Sequence, residues 1–227
     1  MSLKMITPQI PQTPPRTSFH LVKQTAYLAK RCFDIIAASA LLLFALPLMV
    51  MTAAAIALDG GPVLYFGNRV GANGISFKCI KFRTMIPDSD GCLEEYLDHH
   101  PSARDEWLQS RKLNFDPRVT FIGRLLRQSS LDEIPQLLNV IRGEMSLVGP
   151  RPVTRAELED YYRSSAALYM SVRPGMTGLW QVSGRNDVSY ATRVALDERY
   201  VRDWNIVLDI LILCQTPRVV LSRRGAR

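Results

Sequence analysis

Residues 35–58, IIAASALLLFALPLMVMTAAAIAL, run for 24 positions without a charged side chain. As a helix they are long enough to cross the hydrocarbon core of a bilayer. Lys30 and Arg31 precede the stretch, and Arg69, Lys78, Lys81 and Arg83 follow it. Because cations flank both ends, the positive-inside rule gives no direction. Pro47 lies near the middle, where it removes a backbone hydrogen bond and bends a helix. Two forms fit: a straight spanning helix, and a re-entrant helix that breaks at Pro47 and returns to the same face. A cleaved signal peptide does not fit, since more than thirty residues precede the apolar run.

The bulk composition agrees with a membrane-attached globular domain. Hydrophobic residues make up 47% of the 227 positions, ample for a core. The net charge is +7 and is concentrated near the N-terminus. Lys4, Arg16, Lys23, Lys30 and Arg31 precede residue 59 against one acid, Asp34. Such a cluster beside an apolar segment suits an anionic membrane surface rather than a nucleic acid. Cys32, Cys79, Cys92 and Cys214 form no paired motif, which points to a reducing compartment and against a zinc site.

The division expected is a disordered Pro- and Thr-rich tail over 1–22, a membrane-embedded helix over 23–59 bent near Pro47, and a catalytic domain over 60–227. Residues 62–83 read as a hairpin turning at Asn73-Gly74. Its second strand puts Phe77, Cys79, Lys81 and Arg83 on one face, and Ile80 and Phe82 on the other. Polar helices broken at Pro101 follow over 88–113, then a short helix over 120–130. The segment 204–227 reads as a core or interfacial helix. The fold class expected is α+β, mainly helical, with a small β-hairpin and interfacial amphipathic helices.

The chemistry concentrates in RQSSLDEIPQ, residues 127–136. Ser130 and Glu133 have capping-box spacing, and Pro135 delays regular helix to about Leu131 or later. Asp132 and Glu133 then fall in a first turn, where the helix dipole lowers carboxylate pKa values. Arg151 follows between two prolines in SLVGPRP (146–152), and RPGMTGLWQVSGRN (173–186) carries Arg173 and Arg185. Arginines on stiff, turn-rich loops beside paired carboxylates suit a phosphate site: carboxylates hold Mg²⁺ or attack phosphorus, and guanidiniums clamp its oxygens.

These stretches, with KRCFDI (30–35), KFRTM (81–85) and DPRVT (116–120), resemble the bacterial sugar transferases, the monotopic phosphoglycosyl transferases. The resemblance runs from about residue 28 to 220, and SGRNDVSYATRVALD most resembles the exopolysaccharide-initiating branch. It implies transfer of a hexose-1-phosphate from a UDP-sugar to undecaprenyl phosphate, with release of UMP and use of Mg²⁺. Galactose is favoured and glucose is next. By the same resemblance Asp132 is the nucleophile and forms a phosphosugar-aspartyl intermediate, and Glu133 assists with metal or acceptor. Lys81, Arg83, Arg127, Arg151 and Arg185 contact phosphate or nucleotide, and the bend falls at Pro47. Placement in the bacterial inner membrane with the catalytic domain on the cytoplasmic face follows, with membrane lipid as a partner, a homo-oligomer left open and no nucleic acid. Two positions depart from the family pattern: Leu46 stands where serine often precedes the proline, and Gly67 where glutamine is frequent. The rival reading is a non-catalytic membrane-anchored scaffold of a polysaccharide assembly complex.

Overall fold

The computed structural model describes residues 16–110, 113, 115–184 and 189–221. The first helix, α1 (Arg16–Leu58), is continuous through Pro47. It starts at Arg16, seven residues before the boundary expected at residue 23; residues 1–15 of the expected tail lie outside the described residues. Pro14 and Pro15 disfavour helix before this point, and no proline or glycine interrupts the chain again until Pro47. The part from Thr25 is long and apolar enough to cross a membrane, and its most apolar window is only 11% buried. A core helix of a soluble domain would show the reverse.

One stripe of α1 meets the rest of the protein. Asp34, Ala38, Thr52 and Ile56 are buried, while Ile36, Leu43, Phe44, Val50 and Met51 are exposed. At its N-terminal end, the Arg31 guanidinium donates to the carbonyls of Val140 (2.6 Å) and Ile141 (2.9 Å). Asp34 accepts from Ser146 Oγ and the Leu147 N–H. Lys30 Nζ reaches Asp209 Oδ2 at 2.6 Å and the Val148 carbonyl at 3.1 Å. At the other end Arg83 Nη2 donates to the Ile56 carbonyl at 3.1 Å. Both ends of the apolar segment therefore dock on one globular domain.

That domain opens with the expected hairpin. Strands β1 (Leu64–Val70) and β2 (Ser76–Phe82) pair antiparallel, and Asn73 and Gly74 take φ of 57° and 75° in the turn. Helices α2 (Ser89–His99) and α3 (Pro101–Ser110) pack a satellite core of Leu93, Leu97 and Leu113. Helix α4 (Phe121–Ser129) buries Gly123 and Leu126 and exposes Phe121 and Leu125. A 3₁₀ turn, Leu131–Gln136, leads into α5 (Leu137–Arg142) and β3 (Ser146–Val148). The chain continues through α6 (Arg155–Glu157), a run of tight turns and α7 (Ala166–Tyr169) to β4 (Gly175–Thr177), which pairs parallel with β3. Short α8 (Leu179–Ser183), α9 (Tyr190–Asp203) and α10 (Ile206–Leu221) complete it.

The main core joins α1, β2, α5 and α10 through Ala38, Phe77, Leu137, Val140, Met145, Tyr200 and Ile212. Asn139 locks α5 to the hairpin edge-on. Its side chain accepts from the Ile80 N–H at 3.0 Å and donates to the Lys78 carbonyl at 2.8 Å. Helix α10 buries Asp209 and Ile212, the core part expected of it, and exposes Val207, Ile210 and Leu211.

Candidate active site

The site is assembled where the face of β2 meets the 3₁₀ turn. Antiparallel register sets Gly67 opposite Cys79 and Arg69 opposite Phe77, so Arg69, Cys79 and Lys81 share one face of the hairpin. Glycine at 67 adds no side chain between the two cations. A narrow cleft opens here, lined by Arg69, Cys79, Lys81, Glu133, Gln136, Arg151, Pro152, Met176 and Gln181. Lys81 Nζ lies 2.6 Å from Glu133 Oε1. Three cations and one side of the carboxylate pair thus line a single cleft.

Asp132 and Glu133 do lie in the first turn, as the position of Pro135 dictates. The turn is 3₁₀ rather than α because Pro135 has no N–H to donate to the Leu131 carbonyl four residues back. The capping box does not form. Ser130 is left-handed (φ 58°) and makes no side-chain cap, since it simultaneously ends α4; only its carbonyl serves the Glu133 N–H. A capping box does form at Thr154 and Glu157, at the start of α6.

The dipole expectation for Asp132 is likewise reversed. Its carboxyl is pushed up to about 6, first by burial and then by the Glu133 charge, with Lys81 and Arg127 opposing. Asp132 is only 9% exposed, and one 3₁₀ turn supplies too small a dipole to offset that desolvation. A group poised at that value is ionised for the most part at neutral pH.

Arg127 stands on the other side of Asp132. Its Nε donates to Thr84 Oγ1 at 2.9 Å, and the Asp132 and Asp116 charges favour its ionised form against burial. Asp116 is held below the usual carboxylate range by hydrogen bonds from the backbone and guanidinium of Arg118, which outweigh the effect of burial. Arg83 is placed elsewhere. It lies one residue beyond β2, where strand alternation ends, and turns to the C-terminal carbonyls of α1; it lines a separate cleft with Asp59, Ile86, Pro87 and Thr120. Arg185 lies outside the described residues. Arg69 and Gln181 were missed from sequence. Arg69 was legible from hairpin register alone, whereas Gln181 reaches the cavity only through the β3–β4 pairing, which no periodicity announces.

A family profile described as bacterial sugar transferase matches residues 25–223. The chain belongs to the bacterial sugar transferase family. It is 55% identical over 204 residues to the exopolysaccharide production protein ExoY of Rhizobium meliloti (strain 1021), covering 89% of this chain and 90% of that one. It is 51% identical to a UDP-galactose-lipid carrier transferase of Erwinia amylovora, and 49% identical to an undecaprenyl-phosphate galactose phosphotransferase of Salmonella typhimurium. Each of those two alignments covers 93% of this chain and 44% of the longer relative. This member of the bacterial sugar transferases is thus an enzyme of the phosphoglycosyl transferase type, a sugar-phosphate transferase serving exopolysaccharide or lipid-carrier glycosylation.

Proposed function

We propose that the protein transfers a hexose-1-phosphate, galactose-1-phosphate first and glucose-1-phosphate next, from a UDP-sugar to undecaprenyl phosphate. The observation that carries this reading is the cavity where Arg69, Lys81 and Arg151 face the acidic turn that bears Asp132. Three cations suit a diphosphate, and Asp132 beside them suits attack on phosphorus.

In the first step an Asp132 carboxylate oxygen attacks the β-phosphorus. The bond from that phosphorus to the bridging oxygen breaks, and UMP leaves with the electron pair. A phosphate oxygen of undecaprenyl phosphate then attacks the same phosphorus and displaces Asp132, which regenerates the free enzyme. Lys81, Arg127 and Arg151 neutralise the phosphoryl oxygens as charge moves between them. Among the described residues no cluster of three or more metal-ligating side chains occurs. The paired carboxylates of the turn suit Mg²⁺, which takes one or two carboxylates with substrate phosphates and water. Asp132 and Glu133 are the residues that would hold it, and the ion would offset the burial and the Glu133 charge that together raise Asp132.

The docking of both ends of the apolar segment on one domain supports an α1 that, unbroken at Pro47, enters and leaves by the same membrane face rather than spanning it. The exposed apolar faces of α4 and α10 then suit the membrane surface. Nucleotide sugars place the catalytic domain on the cytoplasmic side of the inner membrane.

The test is a UMP-release screen across UDP-sugars with undecaprenyl phosphate, together with mass spectrometry after donor alone. A phosphosugar adduct on Asp132 is expected. No adduct would sink the two-step route, and unchanged turnover in Asp132→Asn with normal membrane insertion would sink the nucleophile.

A further inference from the structure

Pro150 and Pro152 carry no backbone N–H, so Arg151 supplies the only amide donor of the three residues. Behind it lies a buried polar layer that the proposed reaction leaves unexplained. The Tyr169 hydroxyl lies 3.1 Å from the carbonyls of Arg151 and Val70 and accepts from the Val153 N–H at 3.2 Å. Tyr162 meets Tyr169 edge to face at 5.1 Å and donates its hydroxyl to Asp197 Oδ2 at 2.6 Å. Asp197, on α9, is 2% exposed. Burial pushes its carboxyl up to about 7; the Tyr162 hydroxyl and the Arg193 and Arg151 guanidiniums oppose this.

The same layer reaches the Arg151 side chain from the other direction. Its guanidinium sits 5.6 Å from the centre of the Trp180 ring, and that of Arg193 sits 4.2 Å from the same ring and 4.7 Å from Tyr190. Trp180 and Arg193 are themselves buried. Asp197 Oδ1, Arg193 Nε, Trp180 Nε1 and Gln181 Oε1 are buried without a hydrogen-bond partner. A half-satisfied charged layer costs several kcal/mol against an apolar one of the same volume, so stability does not explain it. Arg151 touches this layer and also lines the cavity.

We propose that Asp197 is a positioning residue: through Tyr162 and Tyr169, whose hydroxyl holds the Arg151 carbonyl, and through the Arg193 guanidinium stacked with Arg151 on Trp180, it aims Arg151 at the diphosphate of the nucleotide donor. The proposal rests on the reading of the cavity as a UDP-sugar site. In its ionised form the Asp197 carboxylate compensates two guanidiniums packed near one indole ring, and a diphosphate completes the charge balance from the cleft side.

The test is a double-mutant cycle on the full chain in detergent, read as UDP binding by calorimetry. Asp197→Asn is expected to weaken UDP binding about tenfold in the wild-type background and not at all beside Arg151→Ala, because a residue acting through Arg151 has nothing left to act on. UDP affinity unchanged by Asp197→Asn, or losses that add with Arg151→Ala, would overturn it. Should Asp197→Asn fail to fold, Tyr162→Phe removes only the hydroxyl on Asp197 Oδ2. It is expected to weaken UDP binding at least twofold, again only when Arg151 is present, and wild-type affinity would overturn the proposal. UMP release by the unaltered protein is scored separately. Its absence with UDP binding intact would defeat the proposed reaction and leave the Asp197 result standing.

Discussion

Lys81 Nζ and Glu133 Oε1 lie 2.6 Å apart across the junction of the hairpin and the 3₁₀ turn. The two side chains are partly exposed, so the pair itself adds little stability. Its importance is electrostatic: Lys81 is the foremost of the cations that favour the ionised form of Asp132. Lys81→Met is expected to raise the Asp132 carboxyl further. Because the reacting form is the carboxylate, the acid limb of kcat/KM against pH then moves to higher pH, and activity at pH 7 falls at least tenfold. A pH profile of UMP release checks this. An unshifted limb would separate Lys81 from Asp132.

Asp132 also ties stability to pH. Its folded-state carboxyl, at about 6, lies above its ordinary value of 3.8. The native state therefore holds the proton more tightly than the unfolded chain, so stability is fully present at low pH and is lost as pH rises through 6. Asp132→Asn removes the buried charge. It is expected to be more stable than the wild type at pH 8 by on the order of 1–3 kcal/mol, with the gain gone at pH 4. Thermal melts at the two pH values measure it. A variant that is inactive yet more heat-resistant is the signature of a strained functional carboxylate.

Arg83 is expected to behave unlike Arg151 although both are arginines of conspicuous motifs. Its guanidinium donates to the Ile56 carbonyl at the end of α1, and Gly61 (φ 78°) packs so closely that a Cβ there would lie 2.3 Å from Arg83 Nη1. Arg83→Met is expected to destabilise the protein by about 1–3 kcal/mol, with the UDP-sugar KM changed less than twofold. Gly61→Ala is expected to destabilise it in the same way. Arg151→Ala is expected to do the opposite, raising KM with little change in melting temperature. Melting curves and donor titrations of the three variants decide it.

What the sequence made legible follows from how local each signal is. The hairpin was readable because Asn73-Gly74 and the alternation of 76–82 are contained in a few residues. The place of Asp132 and Glu133 in a first turn was readable because Pro135 excludes earlier helix. The direction of the Asp132 shift was not, because burial by Arg127, Lys81 and the hairpin is a tertiary event that outweighs a local dipole. The face taken by Arg83 was not legible for a similar reason: alternation assigns it the face of Lys81, but the end of α1 comes within its reach. Lys30, Arg31 and Asp34 showed only as a charged border to the apolar run, and the partners that make them a dock lie more than a hundred residues away.

The topology of α1 gives the last prediction. Lys30, Arg31 and Asp34 bind β3, α5 and α10, while Arg83 binds the Ile56 carbonyl, so residues 30–34 and 56–59 belong to one side of whatever surface the intervening residues enter. A single globular domain cannot straddle a bilayer to hold both ends of a spanning helix. Cys32 is exposed near the first end, and Asp59→Cys supplies a thiol at the second. With a membrane-impermeant maleimide, both are expected to stay unlabelled in intact spheroplasts and to react in inverted vesicles, read peptide by peptide by mass spectrometry. Labelling of the two from opposite sides would establish a spanning helix and require the contacts of one end to be given up. Asp34→Ala offers an independent check on the docking. It strands the Ser146 hydroxyl and the Leu147 N–H in the core at a cost of about 1–3 kcal/mol each, and it is expected to raise hydrogen exchange in β3 while leaving the hairpin protected.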